Sequence, residues 1–212
     1  MAERRDNYII ARDRTRAVFP TYDLEKIVEK FALDADGDFL YMRFFDLPFR
    51  VGRGDGVVAQ LENGQWTESG FDASMTLYDI LCDSKPHCRA SGRFCPVTNR
   101  LRTASAPDGS MFQSRADSFA GRTALLAAAC ERMGGERAGA GDVSFEIPVF
   151  QDLKLRLSFW DADDEFPASM NLQWDEHILD FMRYETTFYA AGFILNRLRE
   201  EAENERGVAK AD

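Results

Sequence analysis

Phe159-Trp160-Asp161-Ala162-Asp163-Asp164-Glu165-Phe166-Pro167 places four carboxylates in nine residues between aromatic ends. Oxygen donors at this density suit a hard cation such as Ca²⁺ or Mg²⁺. The alternation of Asp161 and Asp163 is like a calcium loop, but the glycine and distal glutamate of such a loop are missing. A plainer reading makes the run a corner between a strand and a helix, with Asp161 or Asp163 capping backbone amides and Phe166-Pro167 plugging the core. In a third reading Glu165, held between Phe166 and the Trp160 ring, has a raised pKa and moves protons.

A second constellation is Cys82, His87, Cys88 and Cys95. Thiolate and imidazole are the donors zinc selects, and cysteine alone serves an iron–sulfur cluster. The spacing fits neither a zinc ribbon nor a ferredoxin run. Cys130 is available as a further ligand, although Cys82 and Cys130 also fit apolar helix faces, where free cysteine packs as a small hydrophobe. A third candidate is Glu185. Ile178, Phe181, Met182, Glu185, Phe188 and Gly192 follow the helical period, which sets this carboxylate in a mainly apolar stripe. A carboxylate buried there needs an arginine, a backbone amide or a ligand cation as partner. Asp34-Ala35-Asp36-Gly37-Asp38 is read as a turn. The chain has no Walker loop, no Gly-x-Ser-x-Gly elbow and no His-Glu-x-x-His.

The elements that must position these residues alternate between two periods. Helices are predicted over 6–18, from a Thr21 N-cap to Phe31, over 74–83, 119–133 (stopped by Gly134-Gly135) and, capped by Asp175, over about 176–203. Leu24, Ile27, Val28 and Phe31 form one buried helical face. Strands are predicted over 39–45, 49–52, 57–61, from 65, and over 143–149, 153–159 and 170–174. Asn63-Gly64 is the strongest two-residue hairpin signal in the chain. The glycines at 52, 54 and 56 read as turn residues, since a hairpin follows them and not the helix a phosphate loop requires. Residues 85–109 lack a period and read as a long loop, and 1–6 and 207–212 as frayed ends.

These pieces predict one α+β domain: a mainly antiparallel sheet, a meander plus later strands, packed against helices and ending in a long C-terminal helix. At 212 residues with 45% hydrophobic content, the chain can build a core without disulfides or metals. The net charge of −10 argues against nucleic-acid partners and anionic membrane surfaces. No apolar run reaches the roughly 18 residues of a membrane span. Met1-Ala-Glu-Arg-Arg-Asp has no apolar signal core, so the expected location is cytoplasmic with reduced thiols.

From the alternating strand onward the order of motifs is distinctive. Trp160-Asp-Ala-Asp-Asp164-Glu165-Phe166-Pro167 is followed by Leu172-Gln-Trp-Asp175 and by a helix carrying Tyr184-Glu185-Thr186. In this the chain resembles a bacterial and archaeal family known as domain of unknown function 3786, over about Asp142 to Leu198 and more loosely before it. Trp174-Asp175 replaces the family's Phe-Asp-like helix start. The resemblance implies an anaerobe's metabolic neighbourhood, alongside iron–sulfur or corrinoid proteins, and supplies no catalytic residue.

The expected function is that of a small-molecule or partner-binding accessory protein. Its cleft combines Trp160, Asp164, Glu165 and Phe166 with Tyr184 and Glu185 of the long helix. The alternatives are a zinc or iron–sulfur protein built on Cys82, His87, Cys88 and Cys95, and an enzyme with Glu165 or Glu185 as general acid/base. Apolar faces on the last helix allow a homodimer.

Overall fold

In a computed structural model of the chain, residues 2–97 and 110–208 are described, with side chains over 7–97 and 114–203. The elements run α1 (Ala2–Val18), a 3-10 turn (Phe19–Thr21), α2 (Leu24–Phe31), β1 (Asp34–Ala35), β2 (Phe39–Phe44), β3 (Leu47–Gly52), β4 (Val58–Glu62), β5 (Gln65–Glu68), α3 (Phe71–Asp83), β6 (Phe94–Cys95), α4 (Ser110–Phe119), α5 (Thr123–Arg132), β7 (Glu136–Arg137), β8 (Val143–Phe150), β9 (Leu153–Trp160), β10 (Ser169–Asp175), α6 (Ile178–Phe181) and α7 (Tyr184–Val208). The α+β class, the antiparallel pairing and the long C-terminal helix hold. The strands are shared between two five-stranded sheets, β1-β2-β3-β4-β5 and β6-β10-β9-β8-β7. By its contacts the chain groups into two compact units. One runs to Arg89 and includes Leu179–Gly192; the other comprises Ala90–Ile178 and the chain from Phe193 onward. No helix among the described residues is long and apolar enough to cross a membrane.

The first unit is built on the meander. Leu40, Met42 and Phe44 of β2, with Phe49 and Val51 of β3, turn one sheet face inward, where Phe44 meets the rings of Phe45 and Phe49 edge-on. Burying each such side chain contributes about 1.5–3 kcal/mol. The β4–β5 turn is Asn63-Gly64, with φ of 49° and 78°. Both values are positive, the backbone that a two-residue turn matched to strand twist demands. Before β4, Gly56 sits at φ +67° with its backbone against Arg16, leaving no room for a Cβ. The helix over Leu24–Phe31 starts two residues later than a Thr21 cap would place it. Thr21 Oγ1 donates instead to the Val18 carbonyl at 2.7 Å, and Asp23 accepts the Lys26 N–H at 3.3 Å as the true cap.

In the second unit β8 buries Val143, Phe145, Ile147 and Val149, and β9 buries Leu153, Leu155, Leu157 and Phe159, each at every second position. This is the period-2 pattern of a sheet with one covered face. Helix α5 lies on β8, and α4 on β10. Two expectations are corrected here. The helix expected over 119–133 is α5, which starts at Thr123, and an unexpected helix, α4, precedes it across Ala120-Gly121-Arg122, where Gly121 takes φ +69° and donates its N–H to Asp161 Oδ1 at 2.8 Å. The expected long loop carries strand β6, with Cys95 opposite Trp174; residues 98–109 of that loop lie outside the described residues.

The final helix is also divided. α6 ends at Phe181 and α7 begins at Tyr184. The break is held within the first unit by Asp79 of α3. Its Oδ2 accepts the Arg183 N–H at 2.8 Å, and Thr186 and Thr187 donate to the Arg183 carbonyl. A buried carboxylate from another helix thus caps the first turn of α7.

Candidate functional site

The acidic run is the loop of the β9–β10 hairpin, with Trp160 paired to Ser169 at its base. The expected strand-to-helix corner is therefore a strand-to-strand loop, because Ser169–Asp175 pairs along β9 before any helix begins. Two of its four carboxylates, those of Asp161 and Asp163, hold backbone, and Asp142 outside it does the same. Asp142 Oδ2 accepts the Asp161 N–H at 2.7 Å. Asp161 Oδ1 accepts the N–H groups of Gly121 and Ala162, both at 2.8 Å. Asp163 Oδ1 accepts those of Glu165 at 2.8 Å and Phe166 at 2.7 Å, and the Asp163 N–H returns to the Phe166 carbonyl at 3.0 Å. The Glu165 and Phe166 N–H groups favour the charged carboxylate and hold the Asp163 pKa below its usual value.

This network points the other side chains outward. Strand alternation sends Phe159 into the core and Trp160 out, where it is 41% exposed. Phe166 is 67% exposed, so it does not plug the core as expected; Phe159, Ala168 and Met170 occupy the interior beside it. Asp164 and Glu165 are exposed and have no ion-pair partner among the described residues.

Of the expected ligand-binding set, Trp160, Asp164, Glu165 and Phe166 thus share one loop of the second unit. Tyr184 and Glu185 open α7 in the first unit. Tyr184 is half-buried and packs edge-on to Phe188 at 5.1 Å. Glu185 is exposed, a correction to its expected place in an apolar stripe. The buried face of α7 is Thr186, Thr187, Ala190, Ala191, Ile194, Leu195 and Leu198, one position out of phase with Glu185. The two acid/base candidates, Glu165 and Glu185, are both in water.

Cys82 lies half-buried in the last turn of α3, His87 is exposed, Cys88 is half-buried and Cys95 lies in β6. All four cysteines are free thiols. Among the described residues no three His, Cys, Asp or Glu side chains are grouped to hold a metal ion. Burial, together with Asp83 and Asp79, pushes the Cys82 thiol up to about 12, and burial does the same for Cys130. The tighter polar constellation of the first unit is one that the sequence reading missed. Asp79, 1% exposed, meets Arg183 Nε at 2.8 Å, an ion pair lacking hydrogen-bond alignment, and Asp83 lies 3.3 Å from the same guanidinium. With Tyr22, Tyr78 and Cys82 they line a cavity of about 30 Å³, room for a water or two. The available signal was Asp79 itself, a charge set among the apolar residues of α3. In the second unit Asp175 does more than cap a helix. It accepts the N–H groups of His177, Ser91 and Gly92 at 2.8, 2.9 and 2.8 Å, pinning the 91–92 turn beside β10.

A family model matches residues 23–197. The chain belongs to that family, described as a domain of unknown function (DUF3786). The match to DUF3786 takes in the meander as well as the Asp142–Leu198 stretch that carries the distinctive motifs. No curated protein matches the chain, and no solved structure does. DUF3786 membership therefore brings no activity with it, and function rests on the geometry of the chain's own residues.

Proposed function

We propose that this DUF3786 protein is a cytoplasmic binding protein that engages a basic, apolar segment of a protein partner through the β9–β10 loop. The observation that carries the reading is the fixed presentation of Phe166 and Trp160 to water, 67% and 41% exposed, on a loop held by the carboxylates of Asp142, Asp161 and Asp163. An exposed aromatic on a pre-ordered loop loses little conformational entropy on binding and has apolar area to bury. Asp164 and Glu165 beside it supply charge for Lys or Arg, and the Trp160 face suits a cation. Four free thiols accord with a reducing compartment.

The test is titration of the intact ¹⁵N-labelled protein with a short peptide alternating Arg and Leu, followed by NMR. Saturable shifts are expected at the Trp160 indole and the Glu165 and Phe166 amides. They weaken with added salt and disappear in Trp160→Ala/Phe166→Ala, while a Glu-Leu peptide produces none. Shifts scattered over the surface, or unchanged in the double variant, refute the proposal.

A further inference from the structure

The outward face of the first sheet carries a feature unrelated to the β9–β10 loop. Tyr41, Arg50 and Ala59 are cross-strand neighbours, and Leu61 pairs with Trp66 on the next rung. Phe39 and Tyr41 rings lie 6.1 Å apart, and Tyr41 and Trp66 rings 6.2 Å apart. Among them lies the Arg50 guanidinium, 3.9 Å from the Phe39 ring centre and 4.6 Å from that of Trp66. Phe39, Tyr41, Arg50 and Trp66 are each half-buried, on the face opposite core residues Leu40, Met42 and Val51.

What distinguishes Arg50 is its lack of a counter-charge. Arg137 and Arg156 also lie over rings, those of Phe145 and Phe94, but each pairs with a glutamate, Glu131 at 2.9 Å and Glu146 at 2.6 Å. Arg53, near in sequence, pairs with Glu25 at 2.6 Å. Among the described residues no carboxylate pairs with Arg50, in a chain with 36 acidic residues. Its Nε is buried without an acceptor. The acids on this face are engaged elsewhere. Asp36 accepts the Tyr41 hydroxyl at 2.7 Å and the Asp38 and Phe39 N–H groups, both at 2.8 Å. Glu68, on the rung of Arg50 and Ala59, pairs with Arg12 at 3.3 Å and Arg16 at 3.5 Å. Two rings thus fix an unneutralised guanidinium in orientation, and its terminal nitrogens form the fork that matches a carboxylate.

We propose that Arg50, Phe39, Tyr41 and Trp66 form a binding site for a singly charged aromatic carboxylate. The carboxylate accepts from the guanidinium fork, and the aryl body lies on the exposed ring surface left by Trp66 and Tyr41. A net charge of −10 and the neighbouring Asp36 select against polyanions such as nucleic acid. A neutral aromatic lacks the charge that the guanidinium requires.

The test uses benzoate as the probe on the intact protein, with the Trp66 indole and Arg50 side-chain N–H signals followed by NMR. Saturable millimolar binding is expected. Arg50→Gln should weaken it by at least about tenfold, the worth of one charged hydrogen bond. Arg50→Lys, which keeps the charge and loses the fork, should fall between; it also serves if Arg50→Gln does not fold. Benzyl alcohol and anilinium should leave both signals in place. Equal binding of benzyl alcohol, unchanged benzoate affinity in both Arg50 variants, or no saturable shift overturns the proposal. The site is remote in sequence from Trp160 and Phe166, so the Trp160→Ala/Phe166→Ala variant should bind benzoate normally.

Discussion

Replacing Asp79 tests the capping of α7 most directly. The carboxylate is 1% exposed and accepts the Arg183 N–H at 2.8 Å. A hydrogen bond from a backbone N–H to a buried charge contributes about 1.5–3 kcal/mol, in line with the upper range for a lost N-cap. The Arg183 side chain is 63% exposed, so its ion pair with Asp79 adds only a few tenths of a kcal/mol after screening. Asp79→Ala is therefore expected to lower unfolding free energy by about 2–3 kcal/mol, read as a shift in the urea midpoint at constant m-value. Arg183→Ala keeps the N–H and opens Asp79 to water, so its cost is about 1 kcal/mol or less. Asp79→Asn retains an acceptor and should fall between the two. Amide exchange at Thr186 and Thr187, which donate to the Arg183 carbonyl, should quicken in Asp79→Ala before the sheet is affected. If Arg183→Ala costs as much as Asp79→Ala, the ion pair and not the cap holds the helix start. If Asp79→Ala costs under about 0.5 kcal/mol, the capping argument fails outright.

Desolvation raises the Asp72 pKa above the usual carboxylate range. The folded state then binds that proton more tightly than the unfolded one. Stability is lost as pH rises from the unfolded value through the folded pKa. Asp72→Asn lacks this loss, so denaturation curves should show its advantage over wild type growing with pH across that window and then levelling. Burial holds the thiols of Cys82 and Cys130 up at about 12; iodoacetamide at pH 8 followed by peptide mass mapping should leave both unmodified until the protein is unfolded. Gly56→Ala places a Cβ 2.4 Å from the Arg16 carbonyl at a φ of +67°, and thermal melts should show a loss of at least about 2 kcal/mol. Phe166→Ala should change stability by under about 0.5 kcal/mol, whereas Phe159→Ala, fully buried one strand position before Trp160, should cost about 3–5 kcal/mol.

The strands were legible in the sequence because their information is local. Val143, Phe145 and Ile147 alternate with Ser144 and Glu146, and that period survives in β8 up to the register shift between Pro148 and Phe150. Asn63-Gly64 carries its own turn geometry, and the hairpin follows from it. Helix interruptions were not legible. Nothing in the periodicity of residues 176–203 marks a break at Arg183, because the group that makes the break is Asp79, about a hundred positions earlier. Likewise Gly121, whose N–H goes to Asp161, separates α4 from the Ala-rich α5. In both places a tertiary hydrogen bond outweighs a helix propensity worth only fractions of a kcal/mol per residue.

The candidate site divides along the same line. The residue types around 160–167 were evident from the sequence; the exposure of Asp164 and Glu165 was not, since both were expected in a cleft and Glu165 between two rings. Nor was the way each ring faced. Trp160 and Phe166 were expected as anchors, yet the register that pairs Trp160 with Ser169 and the Asp163 cap turn both outward. Arg50 shows the same limit, since its rings come from β2 and β5 and meet only once the meander is folded. The sequence by itself determined the α+β class, the alternating strands, the Asn63-Gly64 turn and the family, because each is encoded within a few residues or in a linear motif. Only the tertiary structure decided where helices stop, which carboxylates hold backbone, and which rings gather around the Arg50 guanidinium. Those outcomes depend on desolvation and hydrogen bonding between groups far apart in the chain.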